Sequence, residues 1–485
     1  MTTLLRICPR GRTRQPGRKL ALACATLLVG LVVLAALPRT ASAIPSFARK
    51  YGTSCTTCHT VYPKLNPFGE AFRHNGFRFP GTDSDMVKAT PVSLGSEAYK
   101  KVFPDAVWPG TLPGSVPLSF GFNGALVLHP QTTSGAAQAD NGAGVVADNL
   151  IEEAHFWAGG SFDDAITFFA ELTVSADGIS IEHALVSFDD IVGPDHIANL
   201  WVGKGGNNLT SFGPHSTYLA DSALPGLSVT GLFGATGGTW NLTDNFNTVE
   251  LNGVIEGMVD YAVGISAGTN VEVRTPQNVY AHVGVKIGGV RMDGEEKSSV
   301  PDAAQPWAET ALTLSAFYYH SATRFSIGDP SSTEAMPLPD LVRDDDANVF
   351  GAMVRGQLMS LELDAGFTIE AHNNPGATDG KATVFSQFDE LSYVVFPWLV
   401  PAARFEYVRV SPDGGTAVSD ARIAVGVAGL IRPNLKLVLS AQLEAATGAP
   451  PGGWGPANGA ALPTDPTQSV SLEVESLTLG LQFAY

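Results

Sequence analysis

Cys55-Thr56-Thr57-Cys58-His59 is the run of residue types best suited to chemistry in this sequence. Two thiols two residues apart, with an imidazole directly after the second, form the c-type haem attachment pattern. The spacing has a chemical reason: each thiol can add to one vinyl group of a porphyrin, and the short Thr-Thr bridge turns the chain so that His59 lies beneath the iron as proximal ligand. One covalent haem c is therefore the expected cofactor, held by Cys55, Cys58 and His59. Plainer readings compete with it. A zinc site needs further soft ligands, and the only other cysteines are Cys8 and Cys24. A thioredoxin-like dithiol needs a βαβ setting, which is missing here. A disulfide between Cys55 and Cys58 leaves His59 unexplained.

The flanking residues must position that turn. The spacing predicts a short helix over 63–76 with Leu65, Phe68 and Phe72 on one face, suited to cover an apolar porphyrin edge; Pro80-Gly81 ends the unit. So small a segment cannot bury much of a core alone. Between His59 and the first strong strand, the usual candidates for a sixth ligand are His74 and Met86. His74 falls opposite the Leu65/Phe68/Phe72 face and reads as exposed. Met86 is thus the expected partner of His59 on the iron, with a solvent-exposed methionine or an open sixth position as the alternatives.

Residues 1–43 read as a secretory signal peptide. Arg6, Arg10, Arg12, Arg14, Arg18 and Lys19 precede an apolar run over 20–37, and Ala41-Ser42-Ala43 offers a small-residue cleavage site before Ile44. An uncleaved membrane anchor is the alternative, since the run is long enough to span. Cys8 and Cys24 leave with the signal. Together with Arg39 the signal holds seven of the 29 basic residues, so the mature chain carries 22 against 47 acidic ones, a net charge of −25. Such a chain repels nucleic acid and attracts cations.

Gly accounts for 52 of 485 residues, charged residues for 16% and hydrophobic residues for 44%, yet no apolar run after Leu37 reaches the length of a membrane helix. Period-two alternation uses the apolar residues instead. Leu118, Phe120, Phe122, Leu126 and Leu128 share one face, with Ser119, Gly121, Asn123 and Ala125 on the other. The same pattern recurs to the C-terminus, where Leu477, Leu479, Leu481, Phe483 and Tyr485 close the chain. Strands of bilayer-crossing length, a small or polar second face, and long loops alternating with tight turns predict a mainly β fold. It is a transmembrane outer-membrane β-barrel of about sixteen antiparallel strands, preceded by a small, mostly α cytochrome c-type haem segment. A soluble β-rich domain is the alternative. Alternation marks seventeen segments, among them 197–204, 226–235 and 249–257; a barrel with both termini in the periplasm needs an even number, so one segment in the N-terminal half is not a strand. The expected layout is signal peptide 1–43, monohaem segment 44–81, connector 82–114 and barrel 115–485.

Glu153, His155, Glu171, Lys286, Arg404 and Glu406 have lumen parity. They suit a conduit or a cation site, or the ordinary cross-linked polar lining of a porin. Asp344-Asp345-Asp346, placed in a long loop over 321–346, reads as a solvated acidic turn, with a surface metal site as the alternative. No nucleophile elbow, phosphate-binding glycine loop or zinc-protease helix is present. Electron transfer is the remaining chemistry.

Phe47-Ala48-Arg49-Lys50-Tyr51-Gly52, the Cys55–His59 turn, Tyr62-Pro63-Lys64-Leu65-Asn66 and Phe68-Gly69-Glu70-Ala71-Phe72-Arg73 with Asn75-Gly76 resemble the N-terminal monohaem segment of bacterial fused cytochrome–porins. The match covers about 35 residues; over the barrel the likeness is one of pattern and length. Residue by residue it carries over Cys55, Cys58 and His59. The resemblance implies a haem c unit held by an outer-membrane barrel and, in characterised members, iron(II) oxidation, that is, an iron(II):cytochrome c oxidoreductase. The expected function is electron transfer between an extracellular donor, Fe(II) being one candidate, and a periplasmic cytochrome or other carrier, with outer-membrane lipid around the barrel. A passive outer-membrane channel with a structural or regulatory haem segment, and a soluble periplasmic redox carrier, are the other two readings.

Overall fold

The computed structural model describes residues 46–484 apart from 81–82, 130–143, 147–151, 206–207, 210–218, 220–245, 268–277, 295–304, 327–341, 374–379, 448–472 and a few isolated positions. The expected signal segment 1–43 lies outside the described residues.

The C-terminal part is a closed antiparallel barrel. Its strands are β1 (Leu118–His129), β2 (Glu153–Ser161), β3 (Ile166–Ser175), β4 (Gly178–Phe188), β5 (Asn199–Gly205), β6 (Phe246–Ile255), β7 (Val259–Ala267) and β8 (Asn278–Gly288). They continue as β9 (Glu309–Ser326), β10 (Val342–Met359), β11 (Leu361–Asn373), β12 (Lys381–Tyr393), β13 (Leu399–Pro412), β14 (Val418–Arg432), β15 (Leu435–Thr447) and β16 (Glu473–Ala484). A three-residue piece, Gly144–Val146, pairs with β1 on the side that β2 occupies, so it prolongs that stave rather than adding one. The ring closes where β16 pairs with β1, for instance Gln482 opposite Asn123. Sixteen staves result, as expected.

The surplus alternating segment is 226–235, which lies outside the described residues. Asn199–Gly205 pairs directly with Phe246–Ile255, so the ring is complete without it. A second correction concerns length. β9 and β10 run to 18 residues each and pair from Glu309/Met359 out to Ser326/Val342, well past the expected ends at 320 and 347. Asp344-Asp345-Asp346 is therefore part of a strand, not a solvated turn. Asp345 is buried and accepts from His372 Nδ1 at 2.7 Å.

Alternation sorts the faces. On β6, Val249 and Leu251 point outward while Thr248, Glu250 and Asn252 are buried inside; on β8, Val279, Val283 and Val285 point outward while Tyr280 and His282 are buried. An apolar outside and a polar inside suit lipid around the barrel and polar contacts within it. The inner groups cross-link: Lys286 pairs with Glu309 at 2.9 Å, and Arg404 with Glu390 at 2.8 Å and Glu406 at 3.9 Å. Lys286, Arg404 and Glu406 thus belong to a cross-linked lining.

Residues 46–87 fold inside the barrel. α1 (Ser46–Tyr51) ends at Gly52, whose φ of +63° is the left-handed conformation glycine adopts without strain. A 3-10 turn over Cys55–Thr57 follows, then a two-stranded pairing of His59–Val61 with Lys64–Leu65. α2 (Pro67–His74) is shorter than the predicted 63–76. Asn66 caps it by accepting from Gly69 N at 2.9 Å, Pro67 fills the first helical position, and Leu65 is already spent in the strand pair. α3 (Asp83–Met86) closes the unit through Asp83, which accepts from Tyr51 Oη at 2.6 Å and Phe79 N at 2.8 Å.

The connector is not featureless. It carries α4 (Glu97–Val102), bracketed by a short antiparallel pairing of Val92–Ser93 with Thr111–Leu112.

Candidate functional site

Residues 46–87 form a plug whose own core is Tyr51, Phe68, Phe72 and Phe79, with ring centroids 4.4 Å apart for Tyr51/Phe79 and 5.1 Å for Phe68/Phe79. Phe68 and Phe72 are therefore occupied by the plug's interior rather than presented as an open face. Cys58 and Met86 pack on the same aromatic core from outside.

The plug meets staves around the ring. Phe77 stacks on Phe169 of β3, Arg78 faces Asp189 and Asp190 at 3.6 Å, and Arg73 Nη1 donates to Asn208 at 2.8 Å. Val61 joins a cluster with Val394, Val400, Leu430 and Val438. Lys64, 1% exposed, pairs with Asp364 at 3.2 Å and with Glu362. Arg355 bonds Asp364 at 2.6 Å and reaches back to Glu70 of α2 at 3.5 Å. Most of these partners flank short turns, such as Ser360 or 433–434, so the plug occupies the short-turn end of the lumen. Burying ions is costly unless they are paired, and here each plug cation named has a wall carboxylate or amide oxygen.

Within the plug the turn residues have defined chemistry. His59 Nδ1 lies 2.9 Å from Pro63 O; a carbonyl only accepts, so the proton is on Nδ1 and Nε2 carries the lone pair. Burial pushes His59 down to about 4, which keeps the ring neutral. That is the ligating form of imidazole, oriented by its second nitrogen. Both thiols are free in the structure; burial pushes Cys55 up to about 11 and, with Cys55 as neighbour, Cys58 up to about 12. Burial thus favours the neutral thiol at both positions. Ser54 accepts from Thr56 N at 3.3 Å, and Asn66 Nδ2 donates to Thr56 O and Thr57 O, so the turn is braced on both sides. Tyr62 lies edge-on to His59 at 5.2 Å and to Trp157 of β2 at 6.5 Å.

His74 differs from its expected exposure. It is half-buried and lines a cavity of about 80 Å³ between α2 and the wall, beside Asp260 and His282. Burial and the adjacent Arg73 hold it down to about 4. It is thus turned toward the wall rather than toward the medium. Among the described residues no three His, Cys, Asp or Glu side chains are gathered to hold a metal ion outright.

Cys55, Cys58 and His59 lie in one local turn, while the wall partners Glu362, Asp364 and Arg355 were not anticipated from the sequence. Their inward parity on β10 and β11 was the available signal. Also unanticipated were the contacts that Asn208, Leu209 and Leu219, which follow β5, make with lumen-facing side chains of the wall. Asn208 N and Nδ2 donate to Glu250, His282 Nδ1 bonds Leu209 O at 3.0 Å, and Arg404 donates to Leu219 O at 3.1 Å.

No family model and no curated relative matches this sequence. Among solved structures it is similar to the anion-selective porin from Comamonas acidovorans, at 11% identity and a TM-score of 0.48, covering 76% of this chain and 98% of that one. It is also similar to the outer-membrane OmpT of Vibrio cholerae, at 12% identity and 0.45, covering 76% and 96%. A third is the outer membrane channel DcaP of Acinetobacter baumannii, at 10% and 0.45, covering 76% and 96%. Likeness at this level carries nothing about what this chain binds.

Proposed function

We propose that the protein is an outer-membrane conduit built as a porin-type barrel, and that its plug adapts that conduit to electron transfer by carrying one covalent haem c. The observation that carries this reading is the placement of the Cys55–His59 turn inside a closed barrel, on a plug anchored by the buried Lys64–Asp364 pair. The apolar outer faces of the staves support a membrane setting.

The donor set fits the group. Cys55 and Cys58 offer two thiols on one turn for thioether bonds, and His59 offers a neutral Nε2 oriented through Nδ1. Met86, on the aromatic core that Cys58 also touches, is the proposed sixth ligand. A haem bound there supplies a one-electron iron couple. The chain's own residues do the rest. The aromatic core and the barrel wall keep bulk water from the turn, Pro63 O and the Asn66 brace fix His59 and its loop, and the ion pairs fix the plug in the wall. A reduced donor, Fe(II) or another, reaching the lumen from the long-loop side and a soluble periplasmic carrier on the short-turn side are the proposed partners. The likeness of the plug sequence to fused cytochrome–porins supports the same assignment.

The barrel alone speaks for the second reading, a passive channel in which the plug is structural or regulatory, because a polar lumen is what a pore requires. A redox-monitored optical spectrum of the purified protein, followed by stopped-flow mixing with Fe(II), tests the proposal. A covalent c-type spectrum whose haem is reduced by Fe(II) is the expected result. A colourless protein overturns the cofactor assignment, and a coloured protein that no donor reduces, together with ion conductance in planar bilayers, leaves the channel reading.

A further inference from the structure

We propose that Glu153 and His155, on the lumen face of β2, hold a divalent first-row transition-metal ion, with Glu171 as the positioning residue behind them. The inference rests on the electron-transfer reading only for its purpose, as a landing place for a cationic donor; the site itself stands on geometry.

His155 Nδ1 lies 2.9 Å from Glu171 Oε1, and His183 Nδ1 lies 2.8 Å from Glu171 Oε2. A carboxylate accepts, so both imidazoles donate from Nδ1 and are oriented by one shared carboxylate. This is the outer-shell arrangement that fixes the orientation of a ligating histidine. The other nitrogen of His155, Nε2, sits 3.4 Å from Glu153 Oε2. In the neutral ring that puts a lone pair against a carboxylate, and something positive belongs between or beside them. A second proton on the ring is one such charge; a metal ion bound by both atoms is the other.

Two further observations favour the metal. Asn123 and Gln482 stand directly across the strands in register with Glu153, on the same face. Asn123 Oδ1 and Gln482 Oε1 are each buried without a hydrogen-bond partner. Asn123 Nδ2 donates to Glu153 Oε2 at 3.4 Å and fixes that carboxylate beside His155, while the two unpaired amide oxygens keep this part of the wall rich in acceptors. The site is also open from the lumen, with side-chain exposures of 38% for Glu153 and 17% for His155.

The chemistry sets the class of ion. One imidazole and one carboxylate, completed by water, suit Fe(II), Mn(II) or Zn(II), whereas Ca(II) has little use for imidazole. Two protein donors make a labile site, which fits an ion that arrives, gives up an electron and leaves. Trp157, two residues further along β2, stacks on His155 at 5.3 Å and meets Tyr62 of the plug at 6.5 Å. The ion would therefore sit on the long-loop side of the Cys55–His59 turn, close to it.

Titration calorimetry of the detergent-solubilised holoprotein with Zn(II), which is redox-silent, tests this. One site is expected that Ca(II) does not compete for. Its affinity should fall at least tenfold in Glu153→Gln and in His155→Gln, and about 10- to 100-fold in Glu171→Gln. It should be unchanged in Asp346→Asn, a substitution of an exposed carboxylate elsewhere. Equal affinities in all four variants, or no Zn(II) heat above buffer, overturn the proposal; the second result assigns the position to a proton. Heat-modifiable gel migration confirms that each variant is folded. Because Zn(II) binding needs no electron transfer, the site can stand when Fe(II) reduction fails, and fall when it succeeds.

Discussion

Lys64 Nζ lies 3.2 Å from Asp364 Oδ2, joining the plug to β11, and both side chains are almost fully buried. Arg355 binds the other oxygen of Asp364 at 2.6 Å and Glu362 at 3.8 Å, so one plug cation and one wall cation share two wall carboxylates. Removing one member of such a set strands its partners in a dry place. Lys64→Met is expected to destabilise the docked plug by about 3 kcal/mol. Limited proteolysis should then cut within 46–80 while the barrel survives, and bilayer conductance should rise. Adding Asp364→Asn should recover part of the loss, since the two sites are coupled.

Gly69 lies inside α2, where alanine would ordinarily stabilise a helix by about 1 kcal/mol. Here a Cβ would run into the Cys58 carbonyl oxygen and come within 2.9 Å of Leu65 Cδ2. Gly69→Ala should therefore reverse the usual sign and cost about 1–3 kcal/mol, because α2 would be pushed off the turn it braces. Thermal unfolding followed by plug proteolysis would check this; a more stable variant would show that α2 and the turn are not in backbone contact.

His74 gives the plug a pH dependence. Its folded value, about 4, lies below the ordinary 6.5 of the unfolded ring. Between those values the unfolded chain binds the proton and the docked plug does not, so docking is fully stable above about pH 6.5 and weakens as pH falls toward 4. The loss is at most about 3 kcal/mol, since the ring keeps some surface toward the cavity. His74→Gln should flatten the dependence of plug protease resistance over that window. An unchanged slope would place the titration elsewhere.

Val283, at mid-height of β8, is 48% exposed and points outward. In lipid, Val283→Arg should cost about 2–4 kcal/mol of folding stability. The measurement is urea-dependent folding into vesicles. A neutral effect would mean that this face meets water.

The turn was legible because its chemistry is local: five consecutive residues state the thiols, the bridge and the imidazole. The staves were legible because alternation is also local, and Val283 beside His282 shows how cleanly one residue step separates outside from inside. Alternation over-counted the staves for the same reason, since period two does not say which segments pair, and β5 pairs directly with β6. The acidic run 344–346 misled in the opposite way. Its charges suggested solvent, yet Asp345 is buried and one of its carboxylate oxygens is bonded by His372, 27 residues later. Docking of the plug was out of reach, because the Lys64–Asp364 contact spans 300 residues and neither residue is unusual in its own neighbourhood.

The pairing of β16 with β1 closes the ring around residues that precede both in the chain. Arg49 of α1 donates to the carbonyls of Val116 and Leu118 where β1 begins, so the plug is tied to one of the two staves that make the seam. A fault in that last pairing would therefore loosen the plug as well as open the ring.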